Sequence, residues 1–139
     1  MNRKLMREIT QDEIDTYARD GVVHLPGIVD MEWVERMRDA VDRVLDAPGP
    51  RGMDLNAEGS PGRFAYDTFM WTRDADFRAL AFESPLAETA AKVMQSSRTH
   101  LMWDFLTMKE PNTPAPTDWH QDLSGNPVKG PHCCGTWLS

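Results

Sequence analysis

The sequence predicts a mainly β chain with flanking α-helices, the helices coming first and the strands gathering toward the C-terminal end. Three observations carry this. Two amphipathic stretches follow good helix N-caps at Thr10 and Asp30. The run HLMWDFLTMK, residues 100–109, is rich in strand-forming residues and apolar on both alternating faces. After it, WHQDL and CCGTWLS read as further short strands separated by proline-bearing loops.

The elements follow in order. Thr10 and Glu13 have capping-box spacing, and Ile14, Tyr17 and Ala18 form one face of a helix that stops at Asp20-Gly21. VVHL, residues 22–25, is a β-rich run closed by Pro26-Gly27. Asp30 caps a second helix, whose stripe is Val34, Met37, Val41, Val44 and Leu45 and whose end is Pro48-Gly49-Pro50. Residues 51–63 carry three glycines and form a long loop of the kind that serves as a lid or binding segment. FAYDTFMW, residues 64–71, reads as a strand and residues 74–83 as a short helix. Ser84-Pro85 gives an N-cap and a first-turn proline for a helix reaching about Gln95. In residues 100–109 one face shows Leu101, Trp103, Phe105, Thr107 and Lys109, and the other His100, Met102, Asp104, Leu106 and Met108. EPNTPAPT then breaks the strand, because proline lacks a ladder donor.

Composition narrows the function classes. With 139 residues the chain has room for one domain. A net charge of -7 argues against a nucleic-acid groove, which needs clustered Lys and Arg. No apolar run is long enough to span a bilayer, and the charged N-terminus lacks a secretory signal pattern. The two cysteines are adjacent, where a mutual disulfide is strained, so both read as reduced thiols in a cytoplasmic protein.

The chemistry concentrates in TDWHQD, residues 117–122. In an extended strand, side chains at i and i+2 share a face, so His120 and Asp122 can converge on one ion while Gln121 points away. An imidazole and a carboxylate are two of the three ligands of the 2-His-1-carboxylate triad of non-haem iron enzymes. The bare spacing is a weak motif. His132, Cys133 and Cys134 offer a second set, a His/Asp/His/Cys zinc site with Asp122, but their spacing matches no common structural zinc pattern.

Context strengthens the iron reading. Asp20-Gly21 precedes an apolar run, and residues 31–45 and FESPLAETAAKVM form helices. A strand ending in Lys109 follows, then Pro111, a Pro/Thr loop into WHQD, Gly130 and Trp137. In that order these features resemble the phytanoyl-CoA dioxygenase family of Fe(II)/2-oxoglutarate oxygenases. The resemblance implies a double-stranded β-helix, a jelly roll with N-terminal helices. Residues 1–98 would be the helical region and residues 99–139 the start of the jelly-roll core. It implies His120 and Asp122 as catalytic iron ligands, and Phe105, Lys109 and Trp137 as neighbours of the 2-oxoglutarate co-substrate. O₂ and a small organic substrate or acyl thioester would complete the reaction, and Asp122 favours hydroxylation over halogenation. Relatives also supply a distal histidine and an arginine that pairs the 2-oxoglutarate carboxylate bidentately. Nothing after Trp137 does so here. The chain is therefore expected to be the N-terminal portion of a single oxygenase domain, or else a truncated, inert module of that fold. An incomplete barrel has open sheet edges, so the isolated chain is expected to be marginally stable or to self-associate.

Overall fold

The structure is a computed structural model that describes residues 1–125, 127, 128, 130 and 132–138. The element order is α1 (Gln11–Asp20), α2 (Met31–Asp46), β1 (Met53–Asp54), β2 (Phe64–Thr68), a 3₁₀ turn (Met70–Thr72), α3 (Ala75–Glu83), α4 (Leu86–Val93), β3 (Phe105–Lys109) and a second 3₁₀ turn (Asp122–Gly125).

α1 begins as its sequence dictates. The Thr10 hydroxyl accepts from the Glu13 N–H, the Glu13 carboxylate accepts from the Thr10 N–H, and Gly21 closes the helix at φ 75°. The Arg7 guanidinium forks onto the same carboxylate, with bonds of 2.9 and 2.7 Å. Arg7, then the Thr10 N–H, hold the Glu13 carboxyl down at about 2. A carboxyl in the unfolded chain titrates near 4.3. Its folded value is depressed, so its stabilisation is complete above the unfolded value and is lost as pH falls toward about 2. Amide-exchange protection in α1 should therefore drop between pH 5 and pH 2 before the rest of the chain opens. Glu13→Gln should abolish that step.

In α2 the Asp30 carboxylate accepts from the Trp33 N–H at 3.0 Å. Trp33, Met37, Ala40 and Val44 are buried, one stripe at helical spacing. Trp33 and Ala40 replace Val34 and Val41 as the innermost positions, because the helix turns its stripe toward α3. Met37, Ala40 and Val44 join Met70 and Phe77 in the larger core, against which Leu80, Leu106 and Leu138 pack. A second core of Ile9, Ile28 and Val93 is flanked by Tyr17, Val23 and Leu25, and there α1 packs on α4.

The sheet is antiparallel in the order β1-β2-β3, with Phe64 opposite Lys109, Tyr66 opposite Thr107 and Thr68 opposite Phe105. Opposed residues share a face, so Ala65, Asp67, Leu106 and Met108 turn toward the helices. The other face is exposed along β3 at Phe105, Thr107 and Lys109. Both faces of this strand are apolar in sequence, yet among the described residues its Phe105, Thr107 and Lys109 side chains stay exposed, while Phe64 opposite Lys109 is buried.

Other boundaries also move. β2 stops at Thr68 because Phe69 takes φ 58° and diverts the chain into the 3₁₀ turn. The Phe69 N–H donates to the Asp104 carbonyl, and the Trp71 N–H donates to the Asp104 carboxylate. Residues 100–104 stay outside the ladder. Pro85 rather than Ser84 occupies the cap of α4, while the Ser84 hydroxyl accepts from the Leu86 N–H at 3.3 Å. Residues 22–25 and 119–121 form no strand, nor do residues 133–138. An extended run becomes a strand only beside a partner, and among the described residues no strand pairs with these segments. Ser139 of the last predicted strand lies outside the described residues. Among the described residues the result is a small three-stranded sheet backed by helices rather than two packed sheets of a jelly roll, with more helix than strand.

Candidate functional site

The loop that delivers TDWHQD is anchored at its start. Lys109 ends β3, and the Glu110 N–H donates to the Arg63 carbonyl at 2.9 Å. The Thr113 hydroxyl donates to the same carbonyl at 3.2 Å. Gly62 fits against this turn at φ 72°, where an added Cβ would lie 2.6 Å from Thr113 Oγ1 and 2.8 Å from the Pro111 carbonyl. The glycine-rich loop of residues 51–63 thus clamps the root of the proline loop.

At its far end His120 and Asp122 meet. His120 Nε2 stands 3.2 Å from Asp122 Oδ1. His120 Nδ1 lies 2.7 Å from the Asp118 carbonyl. A carbonyl only accepts, so Nδ1 carries a proton and Nε2 is the nitrogen left for a partner. In the neutral imidazole Nε2 and Asp122 Oδ1 are then two lone-pair donors facing one gap, which either a metal cation or a proton on Nε2 fills. The Asp118 carbonyl, and after it the Asp122 carboxylate, raise the His120 pKa above its ordinary value. The side chains are 59% and 82% exposed, so an ion reaches them from solvent.

The two atoms fit adjacent positions on an octahedral metal. Donors about 2.1 Å from one ion and at right angles to each other stand about 3 Å apart. The Asp118 carbonyl fixes the imidazole as an outer-shell partner does in metal sites. Convergence here does not use a strand: Asp122 opens a 3₁₀ turn, and the tight backbone brings the side chains together. Among the described residues no cluster of three or more His, Cys, Asp or Glu is poised to hold a metal ion. His132 and Cys133 line a separate groove of about 630 Å³ with Tyr17, Gly21, Val93 and Gln95. Burial pushes the Cys134 thiol up, away from the reactive thiolate.

The profile of the phytanoyl-CoA dioxygenase family (PhyH) matches residues 17–139. The chain belongs to that family. No curated protein and no solved structure matches it significantly. Phytanoyl-CoA dioxygenases are cupin-like oxidoreductases that generally depend on Fe(II) and 2-oxoglutarate and act with O₂ on small molecules. Among the described residues no helix is long and apolar enough to cross a membrane.

Set against that family, the remaining expected residues are divided between β3 and the C-terminal segment, which holds Trp137. Lys109 and Phe105 share the exposed face of β3. The Lys109 ammonium sits 4.8 Å from the centre of the Phe64 ring, a cation–π contact that steers it across the sheet. Phe105 is 48% exposed and Trp137 is 80% exposed. Sequence reasoning missed Asp118 and Phe64. Asp118 sits two residues before the histidine, and its side chain carries no signal because its backbone does the work. Phe64 becomes visible only through the register that sets it opposite Lys109.

Proposed function

We propose that residues 1–139 are the N-terminal portion of a jelly-roll oxygenase domain in which His120 and Asp122 are two Fe(II) ligands. The domain hydroxylates a small organic substrate or acyl thioester. The observation that carries this reading is the 3.2 Å gap between His120 Nε2 and Asp122 Oδ1, with Nδ1 held by the Asp118 carbonyl. Bound iron supplies activation of O₂ at the expense of 2-oxoglutarate. The chain's own residues do the rest. The Asp118 carbonyl keeps Nε2 turned toward the ion. Lys109 offers a fixed positive charge to a 2-oxoglutarate carboxylate. Phe105, four residues back on the same face, offers apolar surface beside it, and the exposed Trp137 ring offers a further wall. The third ligand and the arginine of the family pattern come from a longer polypeptide in this reading. Taken in isolation, residues 1–139 expose open sheet edges and are marginally stable or self-associate; the protein is cytoplasmic.

Titration with Co(II) tests the ligand pair, since its visible absorption reports nitrogen and oxygen ligation. Two ligands should hold the ion weakly but measurably. His120→Ala and Asp122→Ala should each weaken binding about tenfold or more, a loss of at least about 1.4 kcal/mol. Equal binding by wild type and both variants would remove the pair from the site.

A further inference from the structure

A second donor set lies where two helices end. α1 closes at Gly21 with φ 75°, and α4 closes at Met94, after which Gln95 turns the chain at φ 51°. Tyr17, Gly21, Met94 and Gln95 line one groove of about 630 Å³ together with His132 and Cys133. The last carbonyls of a helix carry the negative end of its dipole, so two helix C-termini at one groove favour a positive guest. Among the described residues that line the groove there is no carboxylate. Hard cations such as Ca²⁺ and Mg²⁺ are therefore poorly served, since they bind through carboxylate and other oxygens. The donors present are an imidazole, a thiol and a thioether, and soft sulfur ligands select Cu(I). Both cysteines are thiols. The Tyr17 hydroxyl donates to the Cys134 sulfur, which anchors the segment on α1 and leaves Cys133 as the sulfur that lines the groove.

We propose that this groove binds Cu(I) through the Cys133 sulfur, the Met94 sulfur and a His132 ring nitrogen. The copper–sulfur bond to Cys133 forms as the thiol proton leaves to solvent, and copper keeps its oxidation state. Structural Zn²⁺ asks for a full tetrahedron of ligands, and among the described residues no three His, Cys, Asp or Glu come together. Cu(I) is satisfied by fewer donors and accepts the thioether. The site is separate from His120 and Asp122 and does not rest on the iron reading.

Anaerobic competition for Cu(I) between the chain and a chromophoric Cu(I) chelator tests it, with circular dichroism to verify folding of every variant. The wild type should withdraw one equivalent of Cu(I) from the chelator. Cys133→Ser should weaken binding about a hundredfold or more, since it removes the anionic soft ligand. Met94→Leu keeps the side-chain volume and should weaken binding about tenfold, as should His132→Ala. His120→Ala should leave it unchanged, and excess Zn(II) should not displace the copper. A wild type that takes no copper from the chelator overturns the proposal. So does copper binding that Met94→Leu and His132→Ala leave unchanged, the mark of thiols acting alone, and so does copper that follows His120 or yields to Zn(II).

Discussion

Trp33→Ala should cost about 3–5 kcal/mol of unfolding free energy, read as a fall in the urea midpoint at unchanged slope. Trp33 is 1% exposed and belongs to the buried stripe of α2. Its indole N–H donates to the Asn2 carbonyl at 2.8 Å, and the Arg36 guanidinium lies 5.4 Å from the ring centre. Truncation would leave a large void and free the N-terminal residues that Asn2 ties to Asp30 and Ile28. A domain of this size holds about 5–15 kcal/mol in all. The variant should therefore sit close to the unfolding threshold at 37 °C. Trp33→Phe keeps most of the volume and loses only the hydrogen bond, so it should cost roughly 1–2 kcal/mol.

Asp67→Ala should be nearly as damaging, at about 3 kcal/mol. Asp67 is 3% exposed on the helix-facing side of β2. Its carboxylate is paired with Arg73, accepts from the Gly49 N–H at 2.9 Å and accepts from the Thr68 N–H at 2.7 Å. One side chain thus fastens the turn after α2, the strand and the segment before α3. Removing it strands a guanidinium whose side chain is only 28% exposed. The matched variant that also changes Arg73→Met should recover part of the loss, since the buried charge goes with its partner. A thermal-melt cycle over the two single variants and the double variant measures that coupling.

What the sequence shows about this fold divides along the range of the forces involved. The Thr10–Glu13 box, the Gly21 cap and the Asp30 cap act within four residues, and each is found where the spacing puts it. The phase of α2 is less legible. Val34 and Trp33 are both apolar and adjacent, and only the position of α3 decides that Trp33 turns inward. VVHL and WHQDL have strand-like composition, yet strand formation needs a neighbour that local sequence does not name. Asp67 and Arg73 look like surface charges until the turn after Phe69 folds one onto the other.

The candidate site follows the same division. The His-x-Asp spacing is readable, and the pair does converge. The means of convergence are not readable, because they are a 3₁₀ turn and a backbone carbonyl rather than the alternation of a strand. Lys109 and Phe105 share a face as strand periodicity requires. That both stay exposed depends on how many strands pack nearby.

Paramagnetic broadening by Mn(II) in an amide-resolved NMR spectrum tests the central claim most directly. Mn(II) prefers the same oxygen and imidazole ligands as Fe(II). The claim predicts that amides of residues 118–122 broaden first, at substoichiometric metal, and that Asp122→Ala removes the effect. Broadening that starts at His132–Cys134, or spreads over the acidic surface without favouring residues 118–122, would contradict it.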